Sequence, residues 1–291
     1  MPRRFQVNRA LYKGHETALI MRIPFLTPPP APLRRPFQRC PLCNSTALTP
    51  VVETDCTGHE MYTDGLPKTL KWVECMDCSH MFTDSYFTPE GLALLFRKTQ
   101  ASQSVGFDAH GQRHIASRMV STVLPHVRAE GHWLDVGFGN GALLMAADEF
   151  GFTAVGLDLR VQNVERLRRL DFEAHALDVQ DLPKEHDGRY CVVSMADVLE
   201  HMPYPGSALA RVHVLLEPGG ALLLSLPNKD SSIWKLMSLN QDNAYWREIE
   251  HYHNFGRKRL YRLLEDSGFE PVRYGVSERY RAGMEVVALR R

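Results

Sequence analysis

Residues 132–142, HWLDVGFGNGA, join a short apolar segment to a glycine-rich turn and then to the first residue of a helical segment. Glycines in such a turn let the backbone bend tightly and approach a ligand, and the start of the following helix presents free N–H groups to it. The spacing alone leaves the ligand open, because Gly137, Gly139 and Ala142 also satisfy the dinucleotide-binding pattern G-x-G-x-x-A. The stretch therefore predicts a loop that holds a nucleotide or a nucleoside at the end of a strand.

Around this loop, short apolar segments alternate with segments of helical pattern. The strands are expected at residues 132–136, 153–157, 172–176, 191–195 and 221–226, and the helices at residues 142–150, 161–170 and 207–216. Apolar strands joined to helices by short links are typical of a parallel sheet that is covered on both faces. The sequence therefore predicts an α/β fold with a doubly wound, mostly parallel sheet of the Rossmann-like kind.

Two acidic residues narrow the choice of ligand. Asp135 lies two residues before the first glycine, where its carboxylate would repel a pyrophosphate and attract an ammonium group such as that of a methionine moiety. Asp158 ends the next predicted strand and can accept hydrogen bonds from ribose hydroxyls, as an equivalent acid does in NAD-binding enzymes. Asp135 therefore favours a methionine-derived nucleoside, whereas Asp158 indicates a nucleoside without choosing between the cofactors.

Five motifs in order resemble those of class I S-adenosylmethionine-dependent methyltransferases. They are LDVGFGNG at 134–141, GLDL at 156–159, ALDVQDLP at 176–183, SMADVLEHM at 194–202 and LEPGGALLLSLPN at 216–228. The resemblance covers about residues 110–291 and implies that S-adenosylmethionine is the cofactor. The cofactor-binding residues that it implies are Asp135, Gly137, Gly139, Gly141, Asp158, Leu159, Asp178, Val179, Ala196 and Asp197. The pair at 178–179 is implied to lie beside the adenine, and the pair at 196–197 beside the sulfonium.

Two C-x-x-C pairs precede this region, Cys40-Pro-Leu-Cys43 and Cys75-Met-Asp-Cys78, with 31 residues between them. Two such pairs present four thiolates to a tetrahedral Zn²⁺ ion and leave it no open position, so the predicted zinc ion is structural. Four free thiols or a redox pair are the alternative, although a redox pair would stand at a strand–helix junction. The pattern predicts a small N-terminal zinc-binding module.

The segment 240–257, NQDNAYWREIEHYHNFGR, concentrates acidic residues, histidines and aromatic residues after the last predicted strand. Its Glu250-His251 pair resembles the Glu-His segment of sugar C-methyltransferases, which also carry an N-terminal four-cysteine zinc unit. It departs from them at 253–254, where His-Asn replaces their Ser-Tyr. Histidine titrates near neutral pH and suits a general base, so we expect His251 to be the base, Glu250 to orient it and His253 to be the reserve candidate.

Other assignments of these histidines are open. His251 and His253 could cap the following helix or line the cleft without moving a proton. His201, in the DVLEH motif, is another candidate base, but we expect it chiefly at the cofactor edge because that motif recurs in methyltransferases with different acceptors. The predicted catalytic set is therefore His251, Glu250 and His253.

Composition restricts the partners and the domain organisation. The 34 basic and 34 acidic side chains cancel, so no overall charge attracts the chain to nucleic acid or to an anionic membrane. No apolar run approaches the roughly 18 residues of a membrane-spanning helix. We expect no secretory signal, and we therefore expect the six cysteines to be metal ligands or free thiols in a reducing cytoplasm. Four regions are predicted: a basic, Pro-rich leader (1–36), the zinc-binding module (37–86), a helical connector or lid (87–126) and the methyltransferase domain (127–291).

Together these patterns predict an enzyme that transfers a methyl group from S-adenosylmethionine to an oxygen or carbon of a small-molecule acceptor of the sugar or secondary-metabolite type. We expect no membrane and no nucleic-acid partner, with a homodimer as one arrangement. An RNA-modifying methyltransferase that docks through the zinc module is the first alternative, since residues 1–39 are basic. A non-enzymatic zinc-bearing binding protein is the second alternative, and NAD-dependent redox chemistry is the third.

Overall fold

The computed structural model describes residues 32–98, 100–128, 130–279 and 282–291, so residues 1–31 of the predicted leader lie outside the described part. The strands are β1 (Arg34–Pro36), β2 (Leu48–Asp55), β3 (Thr69–Cys75), β4 (Met81–Thr83), β5 (Ser85–Phe87), β6 (His132–Val136), β7 (Thr153–Leu157), β8 (Glu173–His175), β9 (Tyr190–Ala196), β10 (Leu216–Pro227), β11 (His253–Asn254), β12 (Phe269–Val276) and β13 (Gly283–Arg290). The helices are α1 (Pro89–Leu95), α2 (Ala109–Val123), α3 (Ala142–Glu149), α4 (Val161–Arg168), α5 (Pro205–Leu215), α6 (Ser232–Leu239) and α7 (Arg257–Asp266). Across the described ranges, no helix is both long and apolar enough to cross a membrane.

In the described part of the chain, seven strands form the central sheet, in the order β12-β13-β10-β9-β6-β7-β8. The strands from β10 to β8 run parallel, and β13 pairs antiparallel with both β10 and β12. The strand order reverses at β6, because β7 lies on one side of it and β9 on the other. Such a reversal opens a crevice at the carboxyl ends of the strands. The predicted Rossmann-like, mostly parallel sheet is confirmed.

Apolar layers cover both faces of this sheet. Leu224 packs on one face with side chains of α5 and α7, whereas Leu223 packs on the other face with side chains of α2, α3 and α4. Both leucines are fully buried, which explains why residues 221–224 are apolar without alternation. Burial of each such side chain stabilises the fold by about 1.5–3 kcal/mol, so the layers hold the strand ends in place.

In its described residues, the connector predicted at 87–126 contains the α-helices α1 and α2. The first, α1, begins after Thr88, whose hydroxyl oxygen accepts a hydrogen bond from the Gly91 N–H at 3.2 Å. The second, α2, buries Met119, Val120 and Val123 against the sheet layer that contains α3. These three side chains form the apolar face of the helix.

A four-stranded antiparallel sheet, β11-β4-β3-β2, contains strands from both ends of the chain. Strand β4 lies in the predicted zinc-binding module, and β11 lies in the predicted methyltransferase domain. His253 of β11 is paired with Phe82 of β4. The sheet therefore crosses the boundary predicted between these regions. It fixes the segment after Glu250 to the predicted zinc-binding module, residues 37–86, which we call the four-cysteine region.

Candidate active site

The glycine loop leaves β6 through three residues with positive φ angles: 66° at Gly137, 52° at Gly139 and 79° at Gly141. Residues with a side chain rarely adopt this region. At Gly137 a Cβ atom would also lie 2.6 Å from Cγ2 of Val198. The Gly137 N–H donates to the carbonyl oxygen of Leu157 at 2.6 Å, which ties the loop to β7. The turn therefore requires glycine for conformational and steric reasons.

Asp135 lies buried on β6 beneath this loop, with 2% of its surface exposed. The Trp133 Nε1–H donates to Ser194 Oγ at 2.7 Å, and the Ser194 hydroxyl donates to Asp135 Oδ1 at 2.6 Å. Within the described chain, Asp135 Oδ2 has no hydrogen-bond partner. Burial raises the pKa of the Asp135 carboxyl to about 7. The base of the cleft thus offers an oxygen that a donor group of a ligand would satisfy.

Asp158, which follows β7, holds the loop from the neighbouring strand. Its Oδ2 accepts from the Gly139 N–H at 3.1 Å, and its Oδ1 accepts from the Arg160 N–H at 2.8 Å. Each carboxylate oxygen has two lone pairs, so these bonds leave capacity for ligand hydroxyls. Asp158 therefore shapes the loop and can also contact a ligand.

A cleft of about 400 Å³ opens over the carboxyl ends of β6, β7 and β9. Nine of the ten predicted cofactor-binding residues line it: Asp135, Gly137, Gly139, Asp158, Leu159, Asp178, Val179, Ala196 and Asp197. The tenth, Gly141, is the N-terminal cap of α3. Cofactor and small-molecule sites commonly have volumes of about 300–1,000 Å³. This cleft is therefore the candidate active site.

Within the connector, the segment between α1 and α2 closes one side of the cleft. Asn163 Nδ2 donates to the carbonyl oxygens of Gln103 at 2.8 Å and Gly139 at 3.1 Å, so one amide joins the connector to the glycine loop. The Arg160 guanidinium lies 5.1 Å from the ring centroid of Phe96, which also lines the cleft. Sequence reasoning missed these lining residues, because their contacts depend on how distant segments pack.

His201, Glu250 and Tyr252 also line the cleft. The His201 Nδ1 lies 3.0 Å from the carbonyl oxygen of Glu250. A carbonyl oxygen only accepts, so Nδ1 carries the proton and Nε2 keeps its lone pair. Of the three predicted catalytic residues, Glu250 alone is among the residues that line the cleft, and it meets His201 through its backbone.

His251 lies behind His201, with ring centroids 4.6 Å apart and ring planes at 87°. It is buried, and its burial lowers the pKa of the imidazole well below the usual 6.5. Burial raises the pKa of the Glu200 carboxyl well above its usual range. Ligand atoms of Glu200, His201 and His251 all lie within 4.8 Å of one another. The structure therefore places Glu200 and His201 beside His251.

His253 occupies a different environment from His251. Its ring is fully buried, with Nδ1 3.0 Å from His80 Nε2 and Nε2 2.8 Å from the carbonyl oxygen of Met202. Burial lowers the pKa of His253 to about 4. These contacts give the ring a packing role, and His253 is not among the described residues that line the cleft.

The four predicted zinc ligands come together at one point. The Sγ atoms of Cys40 and Cys78 are 3.7 Å apart, and those of Cys43 and Cys75 are 3.5 Å apart. All four lie within 4.8 Å of one another. A tetrahedral ion with Zn–S bonds of about 2.3 Å separates its sulfurs by about 3.8 Å. The spacing of the four sulfurs therefore fits a metal ion bound by four thiolates.

Two solved structures share the fold of this chain. The 1,6-didemethyltoxoflavin-N1-methyltransferase from Burkholderia thailandensis, solved with bound 1,6-didemethyltoxoflavin and S-adenosylhomocysteine, has a TM-score of 0.53 and 22% identity, covering 74% of this chain and 97% of that chain. The magnesium protoporphyrin IX methyltransferase from Synechocystis PCC 6803, with bound S-adenosylhomocysteine, has a TM-score of 0.50 and 19% identity, covering 62% of this chain and 84% of that chain. At these identities the likeness concerns the fold alone.

Curated relatives match a shorter stretch at higher identity. The ubiquinone biosynthesis O-methyltransferase of Bordetella avium (strain 197N) is 34% identical over an alignment of 103 residues that covers 33% of this chain and 43% of that protein. That of Erwinia tasmaniensis is 35% identical over an alignment of 107 residues that covers 35% of this chain and 44% of that protein. The match thus spans less than half the length of these relatives.

A sequence family described as a methyltransferase domain matches residues 107–274, more than half of the chain. The matched range contains the glycine loop, Asp158, the DVLEH motif and the Glu250-His251 pair. The chain therefore belongs to the methyltransferase domain family.

Proposed function

We propose that this protein transfers a methyl group from S-adenosylmethionine to an oxygen or carbon of a small-molecule acceptor of the sugar or secondary-metabolite type. The observation that carries the proposal is the cleft at the carboxyl ends of β6, β7 and β9, where Asp135 offers a buried, unused carboxylate oxygen. Family membership supports methyl transfer, and the curated relatives that match part of the chain are named as O-methyltransferases.

The residues of the cleft fit S-adenosylmethionine. Asp135 Oδ2 suits the ammonium of the methionine moiety, Asp158 would accept from the ribose hydroxyls, and Asp178 with Val179 would flank the adenine. Among the described residues, a Cβ atom at Gly139 would meet only Gly137 O within 4 Å, at 3.8 Å, so the backbone there leaves space for a ligand. When bound, the cofactor supplies an electrophilic methyl group.

The chain must orient the acceptor and, where the acceptor is a weak acid, remove its proton. Orientation can supply roughly 7–11 kcal/mol of the barrier, and a general base about 10²–10⁴ in rate. His201 is our candidate for the base that faces the acceptor, because it lines the cleft and its Nε2 keeps a lone pair. His251, the base predicted from the sequence, would support the His201 ring from behind.

We also propose that Cys40, Cys43, Cys75 and Cys78 hold a structural zinc ion. The spacing of their Sγ atoms supports this, since it matches the tetrahedral separation. Four thiolates leave no open position for a substrate. The ion would therefore stabilise the β2–β3 hairpin and the strands beside it without taking part in methyl transfer.

Calorimetric titration of the full chain tests the cofactor proposal. We expect S-adenosylhomocysteine to bind with one molecule per chain and NAD⁺ not to bind. Asp178→Ala should weaken this binding about tenfold, because Asp178 lines the cleft and loses a hydrogen-bond acceptor there. Asp181→Ala is the matched control, in the short turn that Asp178 caps but outside the cleft lining. Preferential binding of NAD⁺, or of neither compound, would contradict the proposal.

Mass spectrometry of pooled hydroxylated small molecules, incubated with the protein and S-adenosylmethionine, tests the transfer itself. The expected result is an acceptor that gains one methyl group while S-adenosylhomocysteine accumulates. Transfer to RNA alone would favour the RNA-modifying alternative. Tight cofactor binding without any methylated product in either class would favour a non-enzymatic binding protein.

A further inference from the structure

Glu200, His201 and His251 form a group of potential metal ligands distinct from the four cysteines. One ligand atom from each lies within 4.8 Å of the others. Glu200 and His201 belong to the 3₁₀ turn Leu199–His201 that follows β9, whereas His251 comes from the loop before β11. Two stretches far apart in sequence thus bring three donors together beside the cleft.

Two of these side chains have buried atoms that no other group in the described chain satisfies. Glu200 is fully buried and neither of its carboxylate oxygens has a hydrogen-bond partner. His251 is 7% exposed, and its Nδ1 likewise has no partner. An unpaired buried polar atom costs about 1–3 kcal/mol, and a charged one costs more. Native proteins rarely leave such atoms unpaired, so the unpaired atoms of Glu200 and His251 indicate a bound ligand.

His201 is prepared as a metal ligand by its backbone contact. Its Nδ1–H donates to the carbonyl oxygen of Glu250 at 3.0 Å, which fixes the tautomer and the ring orientation. Metal-binding histidines commonly donate their other ring N–H to a carbonyl or carboxylate in this way. The contact leaves the Nε2 lone pair of His201 available.

The chemistry of the three donors selects the kind of ligand. A hydrogen bond between Glu200 and His251 would leave one carboxylate oxygen unpaired, whereas a cation can accept a lone pair from all three residues. Two imidazoles and one carboxylate suit first-row transition-metal ions, while Mg²⁺ and Ca²⁺ prefer sites made of oxygen alone. Bonds of about 2.0–2.2 Å place ligand atoms roughly 3–4 Å apart, which small side-chain rotations would reach.

We propose that Glu200, His201 and His251 bind a divalent transition-metal ion beside the cleft. Three protein ligands leave coordination positions open, and His201 lines the cleft, so these positions are accessible to a bound hydroxyl compound. With the ion bound, His201 is a ligand, so the role of general base proposed above applies to the chain without the ion. The site itself does not depend on the proposed methyl transfer.

Titration of the full chain with Mn²⁺, followed by the electron paramagnetic resonance signal of the free ion, tests the proposal. Mn²⁺ favours oxygen and nitrogen donors over thiolates, so the four cysteines do not compete. We expect one bound Mn²⁺ per chain, and at least about tenfold weaker binding in Glu200→Gln and in His251→Ala. Glu173→Gln is the matched control, because Glu173, His175 and His186 form another potential ligand group near the sheet edge.

The proposal is overturned if the wild-type chain binds no Mn²⁺ at millimolar concentrations, if Glu200→Gln binds it with wild-type affinity, or if Glu173→Gln abolishes binding. Thermal unfolding and S-adenosylhomocysteine binding are measured on each variant, so that loss of metal is separated from loss of fold. A wild-type chain that binds Mn²⁺ but not S-adenosylhomocysteine would contradict the proposed function and leave the metal site standing.

Discussion

The Nε2 atom of His80 lies 3.0 Å from Nδ1 of His253, and both rings are fully buried where the four-cysteine region meets the segment that lines the cleft. The Nε2–H of His253 donates to the carbonyl oxygen of Met202 at 2.8 Å, so its Nδ1 accepts from His80. One residue before His253, the carbonyl oxygen of Tyr252 accepts from the Thr83 N–H at 2.9 Å. The four-cysteine region therefore supports the segment that lines the cleft.

Replacement of His253 by alanine is expected to lower the free energy of unfolding by about 2–4 kcal/mol. The variant removes a fully buried ring and leaves the donor of His80 and the acceptor of Met202 without partners. Urea unfolding measures the loss. His110→Ala, at an exposed position in the first turn of α2, should change stability by less than about 0.5 kcal/mol. Similar values for the two variants would show that the buried contact contributes little.

The same residue should make stability depend on pH. Because the folded pKa of His253 is lowered to about 4, the unfolded chain takes up a proton between roughly pH 6.5 and 4 that the folded chain does not. Stability is therefore expected to fall as the pH drops through this range, by about 3 kcal/mol for this residue. Urea unfolding at pH 7, 6 and 5 should show a smaller pH slope in His253→Gln than in the wild type. Identical slopes would argue against the lowered pKa.

Strands of the parallel core could be predicted because their signals are local. The strands at 132–136 and 153–157 were predicted with the bounds that the structure shows, since each is a short apolar run followed by a polar or glycine turn. Strand β12 was not predicted, because it lies at the sheet edge and mixes Val272 with charged and exposed residues. An edge strand pairs with a single neighbouring strand, so the apolar pattern in its sequence is weaker.

The parts of the candidate site that lie within one turn of the chain could be predicted. The parts that depend on contacts between distant segments could not. The glycines at 137, 139 and 141 have the positive φ angles that their spacing suggested. Ser194 was missed, because it reaches Asp135 only when β9 lies beside β6. Glu200 was missed as a neighbour of His251, because the two residues are distant in sequence and meet only when the turn after β9 lies against the loop before β11. That Glu250 orients His251 stays a prediction.

Gly137→Ala is expected to destabilise the protein by about 2–4 kcal/mol and to weaken S-adenosylhomocysteine binding. The added Cβ would combine left-handed strain at φ 66° with a 2.6 Å approach to Val198. Gly188→Ala is the matched control, because Gly188 has the same φ of 66° but a Cβ added there would meet no atom of the described chain within 4 Å. It should cost about 1–2 kcal/mol and leave binding unchanged. Equal losses in urea unfolding and calorimetry would show that strain alone acts at Gly137.

Binding of S-adenosylhomocysteine should strengthen as the pH rises from 6 to 8. The Asp135 carboxyl, whose pKa burial raises to about 7, must lose its proton to attract the ligand's ammonium group. For a pKa near 7 this linkage makes the affinity at pH 6 about tenfold weaker than at pH 8. Asp135→Asn should bind more weakly and lose this pH dependence in calorimetric titrations. A wild-type affinity that is flat across this range would place the ammonium away from Asp135.

Removal of the proposed zinc ion should loosen the segment before β11, because the four-cysteine region holds it at several points. Trp72 Nε1 and Thr54 Oγ1 both donate to the carbonyl oxygen of Trp246, at 3.0 Å and 2.6 Å. Zinc binding can supply about 10–16 kcal/mol of folding free energy, so Cys40→Ser should release the ion and raise amide hydrogen exchange at Thr83 at least tenfold. Amides of the parallel strands β6 and β7 serve as the internal control. Unchanged exchange at Thr83 after zinc release would show that the ion does not stabilise the segment that lines the cleft.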